Sequence, residues 1–257
     1  MLKIDSHTHP FQTDRSSPAG LCLYAENAIA RGFSGIVFTE HAPMGIPVSR
    51  HYLNESELEN YLLWAEECKK KYSGKIEISI GLECDYLPEN MDYLVRLLDR
   101  CKVSYAGGSL HLHADFWKDR IAGMDPASRT RFALGRTLDM VNTGIFHTVC
   151  HLDFFRWHQP EYHPEQFEDE YRAIFEAMVR HDMALEWNSS GLLKDFASGL
   201  PCELVWKWSL DYPLRRVFGS DSHKTELVGF QWETYEQLIE NFQKYEEKSV
   251  CRKNSAV

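Results

Sequence analysis

Residues 2–9 read LKIDSHTH, a short apolar run that ends in two histidines. Runs of the same kind, each ending in histidine or a carboxylate, recur as IVFTEH (36–41), ISIGLECD (78–85), YAGGSLHLH (105–113), FHTVCHLD (146–153) and VFGSDSH (217–223). A ring of parallel strands brings all its carboxyl ends to one face, so residues far apart in sequence can meet there. The pattern predicts a barrel with a metal cluster at its mouth, as in a metallohydrolase.

Length and charge limit the possible fold and partners. The chain has 257 residues, 44% of them hydrophobic, and single-domain barrels commonly have about 250 residues. We therefore expect one domain over 1–257, with a polar tail at about 247–257. The net charge of −10 argues against a nucleic-acid partner, because phosphate backbones are bound by clustered Lys and Arg. A small phosphorylated substrate stays possible, since bound divalent cations can reverse the local field.

The terminal sequence and the cysteines predict the compartment. Met1 is followed directly by the strand-like LKID, and no run of 18 or more apolar residues occurs. The seven cysteines show no C-x-x-C spacing, and a chain of this size does not need disulfides. These features predict a cytoplasmic protein with reduced thiols and no membrane partner, and they leave the oligomeric state open.

Apolar runs and helical patterns alternate along the chain, which is typical of parallel βαβ units. The predicted strands are 2–5, 34–39, 76–82, 103–110, 145–150, 183–187 and 215–219. The predicted helices lie near 18–31, 54–72, 91–101, 126–142, 164–182, 201–211 and 231–247. Residues 42–53 and 114–125 are predicted to be loops on the active face.

The histidine pair His7 and His9 is the clearest sign of a metal site. Residues two apart at the end of a strand project to the same side, as ligands of a shared metal must. A pair of polar loop residues is the alternative, but it does not explain why the spacing recurs. The same spacing is found in His151 with Asp153 and in Asp221 with His223.

Three further residues at strand ends are candidate ligands. His41 and His111, taken singly, could each be a satisfied core histidine. Glu83 follows an apolar run in which an unpaired carboxylate would be costly to bury, and its two oxygens can instead bridge two cations. His113, two residues after His111, is a candidate for the substrate pocket. The isolated histidines 51, 147, 158, 163 and 181 are expected on the surface or in helix packing.

The motifs HTH, FTEH, GLE, SLH, CHLD and SDSH, in this order over residues 5 to 223, resemble those of the polymerase and histidinol phosphatase (PHP) superfamily. Within it, EHAPM (40–44), GLECDY (81–86) and LEWNSSGL (185–192) are similar to the histidinol-phosphate phosphatase branch. This resemblance implies a distorted seven-stranded (β/α)7 TIM-like barrel of the α/β class. It also implies two to three divalent metal ions, which mixed His and carboxylate ligands allow to be Zn, Fe or Mn.

The resemblance also implies how the ligands are shared. One metal would take His7, His9, Glu83 and Asp221; the second Glu83, His111 and His151; the third His41 and His223. Many family members add a third-site ligand shortly after H-x-H, and Asp14 is the residue available here. Either Asp14 serves or the third metal is loosely held.

A hydroxide shared by two cations is a strong nucleophile, because coordination lowers the pKa of water to about 7. We expect it to attack phosphorus in line, with Asp153 or the third metal assisting the leaving alkoxide. Arg15 and Arg156 are candidates to bind phosphate through paired hydrogen bonds, with a surface arginine as the alternative for each. Asp85 and Glu186 are candidates for the amino-alcohol end of the substrate, or for supporting acids. Trp117 is a candidate to cover the pocket, with a core position as the alternative.

The first functional hypothesis is hydrolysis of L-histidinol phosphate to L-histidinol and phosphate, a step of histidine biosynthesis. A second keeps the metal site but changes the ester, to a sugar phosphate, a nucleotide or phosphotyrosine. A third is a metal-binding domain without turnover. Such domains typically lose ligands, whereas nearly every expected ligand is present here.

Overall fold

The computed structural model of the protein describes residues 2–159 and 162–241, apart from the side chain of His158. The polar tail predicted at 247–257 lies outside the described residues, as does Cys251. The six cysteines in the described part are free thiols. None of the helices in this part is both long and apolar enough to cross a bilayer.

A single sheet of seven strands, arranged in chain order, forms the centre of the fold. The strands are β1 (Ile4–Thr8), β2 (Gly35–His41), β3 (Glu77–Asp85), β4 (Tyr105–Ser109), β5 (Thr148–Val149), β6 (Ala184–Asn188) and β7 (Arg215–Gly219). Each pairs in parallel with the next. The predicted α/β class and seven-stranded barrel are therefore confirmed.

The sheet closes at its carboxyl end, where β1 meets the residues that follow β7. The backbone N–H of Asp221 donates to the carbonyl of His7 at 2.8 Å, and that of His9 donates to the carbonyl of Ser222 at 2.9 Å. The buried carboxylate of Asp5 accepts from the N–H of Ser220 at 2.9 Å. These bonds place the first and last motifs of the sequence side by side.

Helices follow most strands and cover the sheet. They are α1 (Ala19–Ala30), α2 (Glu55–Lys71), α3 (Met91–Cys101), α4 (Asp115–Ile121), α5 (Pro126–Asn142), α6 (Glu168–Arg180) and α7 (Glu203–Ser209), and residues 232–241 are also helical. Helix α2 begins as predicted, with the side chain of Asn54 and that of Glu57 each accepting from the other's backbone N–H at 3.0 Å. Its Tyr61 hydroxyl contacts the carbonyls of Phe38 and Gly81 at 2.9 Å each, which ties the helix to β2 and β3.

Three local predictions were wrong. The 114–125 loop contains helix α4, because Trp117 is fully buried and packs edge-on against Phe132 of α5. Strand β1 runs on to Thr8, because Thr8 pairs with Phe38 of β2 after a shift of register between Asp5 and Thr8. The fifth strand is only Thr148–Val149, since just two residues pair with the strands on either side.

Candidate metal centre

Six of the seven strands bring the predicted ligands, apart from Asp14, to one place at the carboxyl end of the barrel. His7, His41 and Glu83 lie on β1, β2 and β3, and the others lie in the segments that follow β1, β4, β5 and β7. The donor atoms form groups in which all ligand atoms lie within 4.8 Å of one another. Four of these groups are His7, His9 and Asp221; His7, Glu83 and His151; His41, Glu83 and His111; and His9, His41 and His223.

Together with Glu83, the group of His7, His9 and Asp221 places two imidazoles and two carboxylates close together. The Nε2 atoms of His7 and His9 are 3.1 Å apart. Asp221 Oδ1 lies 3.2 Å from His9 Nε2 and 3.7 Å from His7 Nε2, and Glu83 Oε2 lies 3.5 Å from both nitrogens. The H-x-H spacing thus brings both rings to the same side, as the sequence predicted.

Glu83 stands between the groups. Its Oε1 is 2.7 Å from His151 Nε2 and 3.7 Å from His111 Nε2. Its Oε2 is 2.8 Å from His41 Nδ1 and also faces the nitrogens of His7 and His9. Each carboxylate oxygen therefore faces a different set of imidazoles, which is the arrangement that a bridging ligand needs.

The group at the expected third metal site contains His9 besides His41 and His223. The His9 ring stacks on those of His41 and His223, with centroids 4.5 and 4.2 Å away, and the centroids of His41 and His223 are 5.8 Å apart. Glu40, which the sequence reasoning passed over, is fully buried, and its Oε2 lies 3.8 Å from His9 Nδ1. Its position in FTEH, at the end of β2, was a signal that could have singled it out.

Asp14 is not among these groups. Its carboxylate accepts from the backbone and hydroxyl of Ser16 at 2.8 and 2.6 Å, and also from the hydroxyl of Ser17. These bonds, with the Ser16 side chain first, lower the pKa of Asp14 to about 2. The local turn before α1 thus supplies the partners of this carboxylate.

The buried donors fit divalent cations. Glu83 Oε2 and His41 Nδ1 lie 2.8 Å apart without the geometry of a hydrogen bond. These two atoms, His9 Nδ1 and Glu40 Oε2 are buried and lack a hydrogen-bond partner within the described part of the chain. An unsatisfied buried polar atom costs about 1–3 kcal/mol, and several of them close together are explained by an ion that completes their coordination. Imidazole with carboxylate suits Zn, Fe and Mn.

The electrostatics of the centre depend on the carboxylates. Burial alone would lower the pKa of His7, but Glu186, Asp221 and Glu83 raise it well above its usual value. Burial alone would raise the pKa of Glu83, but the surrounding imidazoles hold it well below the usual range. The pKa of His223 is lowered to about 3, first by partial desolvation of its ring and then by the neighbouring His9, although 43% of the side chain is exposed. The carboxylates are thus kept ionised and ready to bind cations.

Two buried acids orient the imidazoles. Glu186 Oε1 lies 2.7 Å from His7 Nδ1, and its other oxygen accepts from the backbone N–H of His151 at 2.7 Å. Asp85 lies 2.8 Å from His111 Nδ1 and accepts from the hydroxyl of Tyr52 at 2.7 Å. Both acids, predicted as substrate ligands or supporting acids, support the histidines. A carboxylate behind a metal-binding imidazole fixes its tautomer and orientation.

Asp153 and Arg156 lie apart from the cluster. Asp153 is fully buried, accepts from the backbone N–H of Cys202 at 2.9 Å and lies 3.3 Å from Arg156 Nε. Arg156 donates to the Ser198 hydroxyl and the Gly199 carbonyl at 2.7 Å each, and stacks on Phe196. Neither residue lines the cavity above the cluster. Their contacts hold the segment after β6.

A cavity of about 520 Å³ opens above the cluster. His113 lines it as expected and contacts the rings of His111, Phe154 and Trp157. Trp117 does not line it, because its ring is buried in the core; Phe116 lines it instead. The cavity residues that the sequence reasoning missed include His51, Tyr52, Asp115, Lys194 and Lys224. In the sequence, these residues were marked only by lying in or next to the loops and motifs that follow the strands.

The backbone is strained where the ligands leave the barrel. His151 and Asp221 have φ of 29° and 52°, in the left-handed region that residues other than glycine rarely adopt. Gly219, at the end of β7, has no room for a side chain, because a Cβ there would meet the Glu186 carboxylate and the His7 Cβ. Such strain persists only where the surrounding structure imposes it.

The model of the PHP domain family matches residues 5–190. The chain belongs to the PHP domain family. The histidinol-phosphatase of Bacillus subtilis (strain 168) is 26% identical to this PHP protein over 268 residues, covering 91% of the chain and 98% of the relative. The probable histidinol-phosphatase of Deinococcus radiodurans is 24% identical and covers 81% of the chain and 82% of the relative.

Solved structures show the same fold. The histidinol phosphate phosphatase of Lactococcus lactis, solved with Zn, L-histidinol and phosphate, has a TM-score of 0.76 at 20% identity and covers 95% of this PHP protein and 93% of the other chain. The putative histidinol phosphatase of Listeria monocytogenes has a TM-score of 0.74 at 22% identity, with coverages of 91% and 100%.

Proposed function

We propose that this PHP protein is a metal-dependent phosphomonoesterase that hydrolyses L-histidinol phosphate to L-histidinol and phosphate. The observation that carries the proposal is the convergence of His7, His9, Glu83, His151 and Asp221 beneath the cavity, in two groups that share His7. Relatives called histidinol-phosphatase align with most of the chain and support the choice of substrate. Histidine biosynthesis in the cytoplasm is the setting that the sequence predicts, and it stays a prediction.

The donor set fits two to three divalent ions. Zn is supported by the Lactococcus lactis structure, and Fe and Mn suit the same donors. Ions bound here would lower the pKa of water and offset the charge on phosphoryl oxygens. The residues of the chain hold the sites: Glu83 offers one oxygen to each side, and Asp85 and Glu186 keep the rings of His111 and His7 turned inward.

The cavity accommodates the rest of the substrate. Its volume of about 520 Å³ lies within the range of about 300–1,000 Å³ typical of small-molecule sites. Among the described residues that line it, Asp115 and Asp221 carry carboxylates, and Asp221 belongs to the cluster. We assign the ammonium group of L-histidinol phosphate to Asp115 and its phosphoryl group to the cluster. The rings of Tyr52 and Phe154 offer apolar contact to the imidazole.

Phosphate release from a panel of esters tests the proposal. The protein is stripped with a chelator, reloaded with Zn, Mn or Fe(II), and assayed with L-histidinol phosphate, a sugar phosphate, a nucleoside monophosphate and phosphotyrosine. We expect activity only after reloading and the highest kcat/KM for L-histidinol phosphate. His151→Asn should abolish turnover, whereas His163→Asn, at an exposed histidine paired with Glu165, should not. A clear preference for another ester would overturn the substrate assignment.

A further inference from the structure

Arg15 makes a set of hydrogen bonds within the protein that do not involve the metal centre. Its guanidinium donates to Glu57 Oε1 at 3.0 Å, to Gln12 Oε1 at 2.6 Å, and to the backbone carbonyls of Arg50 and His51 at 2.7 and 3.3 Å. Gln12 reinforces this set, because its Nε2 donates to the same His51 carbonyl at 2.7 Å. Arg15 is thus committed to the protein itself.

The carbonyls that Arg15 binds belong to the segment that forms one wall of the cavity. We call residues 42–53 the wall segment. Its ends are held by β strands, with Ala42 N–H donating to Glu83 O at 2.8 Å and Leu53 N–H donating to His41 O at 3.0 Å. Residues 45–51 between these ends are largely exposed. Arg15 and Gln12 therefore bind the wall segment at its most exposed part.

The wall segment separates two cavities. Val48, Ser49 and Tyr52 line both the cavity above the metal centre and a second cavity of about 500 Å³. Arg15 lines only the second. It thus holds the wall from the side opposite the substrate, where a guanidinium cannot contact a phosphoryl group bound at the cluster.

From the wall the contacts continue to the metal centre. The Tyr52 ring lies 5.5 Å from that of His41, and its hydroxyl donates to Asp85, which supports His111. His51, whose carbonyl Arg15 binds, also lines the substrate cavity. The position of the wall segment therefore determines where the side chains of His51 and Tyr52 lie in the cavity.

We propose that Arg15 is a positioning residue that fixes the wall segment and thereby sets the KM of this PHP protein for its phosphoester. The kinetic part rests on the proposed function, whereas the wall position does not. Arg15→Met should loosen residues 45–51 while leaving the metal ligands in place. Arg15→Lys keeps the charge, but one ammonium cannot replace a planar guanidinium that reaches four acceptors. This variant should therefore restore the position of the wall segment only in part.

Trypsin provides a readout that does not depend on turnover. Arg50 is exposed, and the carbonyl of its scissile bond is the one that Arg15 binds. In the metal-loaded protein we expect Arg15→Met to speed cleavage after Arg50 about tenfold, the ratio that losing charged hydrogen bonds implies. Gln12→Leu should act in the same direction with a smaller effect. The fragment that begins at His51 is quantified by mass spectrometry.

Kinetics provide the second readout. We expect Arg15→Met to raise KM for L-histidinol phosphate about tenfold with kcat changed less than about twofold, since the wall contributes binding and not chemistry. Arg172→Met is the matched control, because this arginine pairs with Glu168 and Asp211 away from both cavities. It should change neither readout.

The two readouts keep the proposals separate. If no variant hydrolyses any ester, the proposed function fails, and faster cleavage after Arg50 in Arg15→Met still supports the role of Arg15 in holding the wall. Unchanged cleavage in Arg15→Met overturns that role whatever the kinetics. Faster cleavage with an unchanged KM overturns the claim that the wall sets substrate binding. A KM fully restored by Arg15→Lys without restored protection from trypsin points to direct phosphate binding and also overturns it.

Discussion

The carboxylate of Asp85 holds His111 at two points. One oxygen lies 2.8 Å from the ring Nδ1 and the other accepts from the backbone N–H at 3.0 Å. The ring can then turn only its Nε2 toward Glu83, at 3.7 Å from Oε1. A buried acid that looks like a substrate ligand in the sequence thus acts on the metal centre through an imidazole.

Replacing this acid should weaken metal binding more than it disturbs the fold. Asp85→Asn keeps the size of the side chain but removes its charge and replaces one of its two acceptor oxygens by an amide nitrogen. The Oδ2 atom of Asp85 serves both His111 Nδ1 and the Tyr52 hydroxyl. We expect metal affinity to fall by about 10–100-fold, measured by competition with a chromophoric chelator. Asp139→Asn, at a surface ion pair with Arg136 on α5, is the control. Equal affinities in the two variants would contradict the role given to Asp85.

Asp14 should be dispensable for metal binding. Because Ser16 and Ser17 already engage its carboxylate, Asp14→Asn should keep the metal content of the parent protein and its activity within about twofold. Elemental analysis of the reloaded proteins counts the ions directly. The carboxylate should titrate near its lowered pKa of about 2 in NMR spectra of the metal-free protein. Loss of one ion in Asp14→Asn would return Asp14 to the third site.

Asp153 should matter for stability and not for proton transfer. Burial raises the pKa of its carboxyl, and its contacts with Arg156 and the Cys202 N–H hold the segment after β6. Asp153→Asn should lower the Tm by several degrees, since a buried polar contact is worth about 1–3 kcal/mol. The pH profile of kcat should keep its shape. A lost alkaline limb in that profile would instead identify Asp153 as the general acid.

The metal-free protein should lose stability as pH rises from about 6.5 to 9. The carboxylates raise the pKa values of His9 and His111 to about 9 against the opposing effect of burial. A raised folded-state pKa contributes stability that is complete below the unfolded value of about 6.5 and is lost as pH passes through the folded value. Thermal melts of chelated protein at pH 6.5 and 9 measure this loss.

Metal should reverse that trend. Cations require deprotonated imidazoles, so the stabilisation by Zn should be larger at pH 9 than at pH 6.5. Melts with and without metal at both pH values give the comparison. Chelated protein that is equally stable at both pH values would show that the carboxylates do not hold the protons on these two histidines.

The sequence determined the architecture because periodic signals are local. Apolar runs at regular spacing gave the positions of most strands and helices, and α2 begins beside Asn54, where the helical pattern was predicted to start. Helix α4 was missed because its seven residues are too few for a clear period. Its formation depends on burying Trp117 against Phe132 of α5, a contact with the next helix that the pattern of the seven residues does not show.

Ligand candidates were likewise visible in the sequence, as histidines and acids at strand ends. The structure decided which other groups each of these side chains contacts. Arg15 and Arg156 look alike as phosphate ligands in sequence, yet both are engaged by backbone carbonyls of neighbouring segments. Long polar side chains reach across several residues, so their contacts depend on which loops the fold brings near them.

The chain by itself therefore specified a parallel barrel and the set of imidazoles and acids at its carboxyl end. Only the tertiary structure distinguished acids that lie among the candidate ligand atoms, such as Glu83, from acids that orient an imidazole from behind, such as Glu186. The physical reason is that strand pairing fixes direction and register from short-range patterns. Which carboxylate faces which nitrogen depends on ångström-scale closure between β1 and β7, more than 200 residues apart.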